Sequence, residues 1–108
     1  MKKIAYLDCP AGIAGDMALA AMIDAGADID LIRAAVDAVC GQPCGLDAIP
    51  ARESVISGLR LRLDLPVMHS HRHLSDIMSM IERAVGDHLS AHAAETAGRI
   101  FQRLAAAE

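Results

Sequence analysis

The spacing of apolar positions changes several times along this chain, and each change marks a predicted element. Residues 3 to 9 (Lys-Ile-Ala-Tyr-Leu-Asp-Cys) are a short apolar run stopped by Pro10 and two glycines, which predicts a buried strand entering a turn. From Asp16 to Ala25, the residues Leu19, Ala20, Met22 and Ile23 recur at helical spacing, and Gly26 follows where a left-handed C-terminal cap belongs. A second helix starts at Asp28 or Asp30, either able to accept from free backbone amides. It places Leu31, Ile32, Ala35, Val36 and Val39 on one face before Gly41 and Pro43 end it.

Between Asp47 and Pro66, Val55, Leu59, Leu61, Leu63 and Leu65 mark extended chain. Leu59 to Leu65 alternate with Arg60, Arg62 and Asp64, and Ser57-Gly58 divides the stretch into two strands or forms a bulge. A histidine-bearing stretch, Met68 to His73, leads to a third helix with Leu74, Ile77, Met78, Ile81 and Val85 apolar and Gly86 as its stop. A fourth helix, capped by Asp87 or Ser90, carries Ala93, Ala97, Ile100, Phe101 and Leu104 on one stripe and runs to Glu108.

The order β-α-α-β-β-α-α predicts an α+β fold, a two-layer sandwich in which a small three-stranded sheet packs with about four helices. A single domain over residues 1–108 is expected. The last helix ends in Ala-Ala-Ala-Glu, with neither a cation nor a glycine cap, so the chain is expected to be an N-terminal part of a longer protein, cut within or just after that helix.

Composition narrows the function classes. The hydrophobic fraction of 54% excludes an intrinsically disordered chain. A formal charge of −4, with no Lys/Arg run and one Tyr, one Phe and no Trp for stacking, argues against a nucleic-acid partner. The apolar run at the start is too short for a signal peptide or a membrane span, so no membrane partner and a cytoplasmic location are expected. Cys9, Cys40 and Cys44 are an odd number, and free thiols are the expectation.

Four groups of residues have chemistry to offer. In Asp8-Cys9-Pro10-Ala11-Gly12-Ile13-Ala14-Gly15-Asp16 a strand end meets a glycine-punctuated turn and a helix start, so backbone amides can approach an anion. The Asp16 carboxylate opposes an anion there unless a metal bridges them, and the alternative is a purely structural turn with Asp16 as helix cap. In His69-x-His71-x-His73, alternate side chains of extended chain share a face, and neutral imidazole suits nickel, zinc and copper. If His73 opens the third helix, Asp76 lies one turn on and adds an oxygen ligand or orients His73. The alternative is a solvated loop. Cys40-Gly41-Gln42-Pro43-Cys44 lacks the second pair that a structural zinc site needs, and Cys9 is either a reactive thiol or a buried structural one. His88 and His92 share a helix face if the fourth helix begins at Asp87.

The stretch Tyr6-Leu7-Asp8-Cys9-x-x-Gly12-Ile13-x-Gly15-Asp16-Met17 resembles the N-terminal signature of LarC-type nickel insertion proteins. Ile56-Ser57-Gly58, Arg72-His73-Leu74-Ser75-Asp76-Ile77 and Ile100-Phe101-x-x-Leu104-Ala105-x-Ala107-Glu108 follow in that family's order. The resemblance implies that the complete protein is a nickel chelatase, a lyase. It would use CTP and a divalent metal, bound in a C-terminal half with no counterpart here, to insert Ni2+ into a pyridinium bis-thiocarboxylate mononucleotide. The product is the nickel-pincer cofactor of lactate racemase. The implied partners are that C-terminal half, the pyridinium mononucleotide substrate, lactate racemase apoprotein and further copies of the chain as a homo-oligomer, and this segment alone is expected to be inactive. Mapped onto this chain, the resemblance places the cofactor-binding turn at Asp8, Cys9, Gly12, Gly15 and Asp16, and the metal ligands at His69, His71, His73 and Asp76, with no catalytic residue assigned. A structural docking or oligomerisation module without its own metal site is the competing expectation.

Overall fold

The computed structural model describes residues 1–65 and 72–108. Its elements run α1 (Gly15–Asp24), α2 (Ile29–Cys40), β1 (Leu46–Glu53), β2 (Ile56–Leu63), α3 (Leu74–Ala84) and α4 (Ala91–Ala107). They form two compact units, Met1–Ala27 with Ala48–Leu61, and Asp28–Asp47 with Arg62–Glu108.

Among the described residues the fold is α+β with four helices and a sheet of two strands, β1 beside β2, and not the three expected. The missing strand is the run Lys3–Cys9, which belongs to no regular element. A strand needs a neighbour's backbone as well as a suitable sequence. Among the described residues, Met1–Asp8 make no backbone hydrogen bond, the first in the chain being Gly12 N–H to Cys9 O at 3.0 Å. Ile4 and Tyr6 are accordingly 91% and 88% exposed.

In the first unit, α1 ends in a complete left-handed stop. Gly26, at φ +108°, donates to Ile23 O at 3.0 Å and Ala27 donates to Met22 O at 2.9 Å, which satisfies two of the helix's last carbonyls. Ala20 is the buried residue of α1. The hairpin turns at Ser54-Val55, and not at Ser57-Gly58, which lie within β2. Ser54 takes the left-handed conformation at φ +56° that a tight two-residue connection demands.

In the second unit, Asp28 caps α2 by accepting from Asp30 N–H at 2.9 Å, and Gly41 ends the helix at φ +72°. The Arg33 guanidinium then ties α2 to the base of the hairpin. It donates to the Leu46 carbonyl at 2.6 Å, to Asp30 at 2.6 Å and to Asp47 at 3.0 Å, while Asp47 also accepts from Arg62 at 3.4 Å. Leu46 and Cys44 are the largest fully buried side chains among the described residues.

Helix α3 packs against both α2 and α4. The inward face of α4 carries Ala94 and Gly98, with Ala97 and Phe101 half-buried, whereas Ile100 and Leu104 of the expected stripe are exposed. Gly98 explains the rotation. A methyl placed on it would meet the Met78 Cε of α3 at 2.9 Å, so the two helices approach through a position without a side chain.

Two outcomes follow from this packing. Arg33→Ala, which removes three charged hydrogen bonds at a half-exposed site, is expected to lower unfolding free energy by about 2 kcal/mol in urea denaturation, with Arg33→Lys restoring less than half of it. Gly98→Ala should fall within about 1 kcal/mol of the parent, because the gain in helix propensity offsets displacement of a flexible methionine terminus. Gly98→Leu should lose roughly 2 kcal/mol or more by the same measurement.

Candidate functional site

Pro10 follows Cys9 at the position where its fixed φ favours a turn, and Gly12 closes that turn at φ +81°, where a side chain would be strained. The chain then extends through Ala14, which bounds α1 with φ −84° and ψ 160° and offers no side chain to cap it. Asp16 acts from inside the first turn instead, its Oδ1 accepting from Met17 N–H at 2.9 Å. Among the described residues the other first-turn amides have no side-chain acceptor, and Asp16 places a negative charge where the helix dipole favours one. Asp8, Gly12, Gly15 and Asp16 are exposed and Cys9 is half-buried.

Asp16 also borders a groove of about 410 Å³ in the first unit, together with Met17, Ala20, Glu53, Leu59 and Arg60. The two-residue turn sets Glu53 opposite Ile56 and so Asp47 opposite Arg62, and the ion pair between the latter two at 3.4 Å agrees with that register. Alternation then puts Ala51, Glu53, Gly58 and Arg60 on one face of the hairpin. Glu53 and Arg60 were not singled out by sequence reasoning. Their signal was the strand parity around the turn, which is readable only once the turn is placed at Ser54-Val55.

The proposed metal ligands divide differently. His69 and His71 lie outside the described residues. His73 bounds α3 at its N-terminal end, with φ −74° and ψ 158°, and Asp76 Oδ2 accepts from the His73 backbone N–H at 3.0 Å. Asp76 is thus engaged in capping the helix, its carboxylate holding the His73 main chain. Among the described residues, no group of three or more His, Cys, Asp or Glu side chains is gathered to hold a metal ion. The Asp8-Cys9-Asp16 constellation therefore does not converge as a ready ligand set.

His88 and His92 do not share a helix face. Ser90 caps α4 by accepting from Ala93 N–H at 3.1 Å, so the helix starts at Ala91, after His88, which stays in the turn closed by Gly86 N–H to Leu89 O at 2.9 Å.

All three cysteines are free thiols. Cys44 is buried, its N–H donating to Asp37 Oδ1 at 2.9 Å and its thiol to Gln42 O at 3.4 Å. Burial foremost, then the hydrogen bond and charge of Cys40 and the charge of Asp37, push its pKa up to about 11 from 9.0. That protonated, enclosed thiol is a packing residue and not a nucleophile.

The described residues define the class of protein as a small α+β fold with an exposed turn entering α1 and His73 at the start of α3, and they leave the family open. The comparisons specify it. The family model described as nickel insertion protein matches residues 5–108, and this chain belongs to that family. It is 37% identical over 108 residues to a nickel insertion protein of Roseiflexus castenholzii, covering all of this chain and 27% of that one. It is 37% identical over 106 residues to the pyridinium-3,5-bisthiocarboxylic acid mononucleotide nickel insertion protein of Desulfitobacterium hafniense, covering 98% of this chain and 26% of the other. A Synechococcus elongatus relative is 34% identical over 110 residues. The chain thus spans about a quarter of the length of these relatives. No solved structure matches it, and among the described residues no helix is long and apolar enough to cross a membrane.

The Cys44 thiol sets a pH dependence. Its folded pKa is raised, so its contribution to stability is fully present below pH 9 and is lost as pH rises through about 11. Urea midpoints are expected to fall across that window, by an amount that Cys44→Ala reduces.

Proposed function

We propose that this chain is the nickel-collecting segment of a nickel insertion protein that loads Ni2+ into a pyridinium bis-thiocarboxylate mononucleotide. The observation that carries the reading is the family match from residue 5 to residue 108, together with the substrate named for the Desulfitobacterium hafniense relative. In this reading His69, His71 and His73 capture Ni2+ as neutral imidazoles, which are borderline-soft donors suited to a first-row dication. Asp76 supports the site from behind, by fixing the main chain at His73 where α3 begins. Asp8, Cys9, Gly12, Gly15 and Asp16 form the turn over which the substrate is presented.

The CTP- and divalent-metal-dependent insertion step, and delivery of the product to lactate racemase, belong to the complete protein, because this chain matches only about a quarter of its relatives. The segment by itself collects metal and does not turn over.

Nickel calorimetry tests the reading. The parent chain should bind Ni2+, and the triple variant His69→Ala, His71→Ala, His73→Ala should bind at least about tenfold more weakly, roughly 1.4 kcal/mol or more. Equal affinity in the two chains, or no binding in either, would replace the reading with that of a docking module without a metal site.

A further inference from the structure

The run Lys3-Ile4-Ala5-Tyr6-Leu7 has the composition of a central strand and none of its surroundings. Side chains alternate across a strand, so Ile4 and Tyr6 would occupy one face and Ala5 and Leu7 the other. Apolar residues on both faces are the mark of a strand covered from both sides, not of a hairpin edge facing water. Yet Ile4 is 91%, Tyr6 88% and Leu7 62% exposed, and Met1–Asp8 make no backbone hydrogen bond among the described residues. A β-branched residue, an aromatic and a leucine exposed beside main-chain groups that find no partner among the described residues are what a docking element presents.

A second copy of the chain answers this poorly. Two such strands paired with each other would leave both faces of each bare, whereas a buried strand needs two covered faces. The relatives offer a fuller answer, since about three-quarters of their length lies outside the part this chain matches. We propose that Lys3–Leu7 is a docking strand that adds to an open sheet edge in the polypeptide making up that remaining part of a nickel insertion protein. Main-chain pairing supplies the affinity, and the alternate side chains fix register and face. The strand leads straight into Asp8 and Cys9, so docking also fixes the Cys9–Gly12 turn against the partner. The inference rests on the reading that this segment acts together with the rest of the family protein, and it needs no nickel.

The test is hydrogen exchange, read by mass spectrometry without nickel, on two proteins. One is this chain alone; the other is the Roseiflexus castenholzii protein with its matched quarter replaced by this chain. Amides of residues 3–8 should exchange at least about a hundredfold more slowly in the chimera, with Ile4→Asp or Tyr6→Asp abolishing that protection while α4 stays protected. Val55→Asp, at the equally exposed hairpin tip, should leave it intact. Should the chimera not fold, the aligned run of the intact Roseiflexus castenholzii protein, compared with its own isolated quarter, gives the same reading. Equal exchange in both contexts would overturn the proposal, as would protection already present in the isolated chain as monomer or, by sedimentation, as dimer. None of these outcomes touches the nickel titration, so docking and metal capture stand or fall separately.

Discussion

The second unit depends on one cation. Arg33 projects from α2 and reaches the Leu46 carbonyl, Asp30 and Asp47, and Asp47 in turn holds Arg62 on the opposite strand. A planar guanidinium can satisfy several acceptors in fixed directions at once, which a lysine ammonium on a flexible stem does not. Asp37, one helical turn further along the same helix, accepts from Cys44 N–H, so α2 grips the chain on both sides of Gly45. Gly45 suits glycine on two counts: it sits at φ +55°, where a side chain is strained, and a methyl there would meet the Asp64 Cβ at 3.1 Å, so that one of the two must shift. Leu46 and Cys44 are buried because these polar contacts hold the strand entrance against the helix. The raised Cys44 pKa is a consequence of the same enclosure.

The elements that were legible in the sequence are those whose signals are local. Asp28, Gly26 and Gly41 act where they stand in the chain, and each bounds a helix as expected. The alternation from Leu59 to Leu63 is likewise a property of one strand, and it survives as alternating half-buried and exposed positions. Two of the failures are matters of partnership, and the third is one of local turn chemistry. The run at residues 3–9 has strand composition, but nothing in a sequence states whether a neighbouring backbone is present. The α4 stripe was misplaced because helical periodicity gives an apolar face only to within a residue, and Gly98, read alone, carries no sign that Met78 lies against it. Ser57-Gly58 looked like a break because glycine is a common turn residue, while the actual turn uses Ser54 in a conformation serine rarely adopts.

The candidate site shows the same division. The Cys9–Gly12 turn and the position of Asp16 at the helix start were readable because proline, glycine and aspartate impose their geometry on adjacent residues. The role of Asp76 was half readable. Its spacing of three from His73 is both that of a shared helix face and that of a reciprocal cap, and the main-chain bond at 3.0 Å has the cap in place. The groove beside α1 was not readable at all, since Asp16, Glu53 and Arg60 are brought together only by the hairpin register and the seating of Ala20.

Under the proposed function, charge sets a condition on how the segment can handle its cargo. The chain is net negative, and Asp8 and Asp16 flank the turn while Glu53 adds to the groove, with Arg60 the one cation among the groove residues named above. A mononucleotide bearing a phosphate and two thiocarboxylates is itself an anion, so direct approach to Asp16 is opposed and the α1 dipole offsets only part of that cost. A nickel dication held between protein and substrate reverses the sign of the interaction, because each carboxylate or thiocarboxylate then faces positive charge. Under the proposed function, metal capture therefore precedes or accompanies binding of the mononucleotide. An acidic turn is then compatible with a phosphorylated substrate whose own charge the metal has already offset.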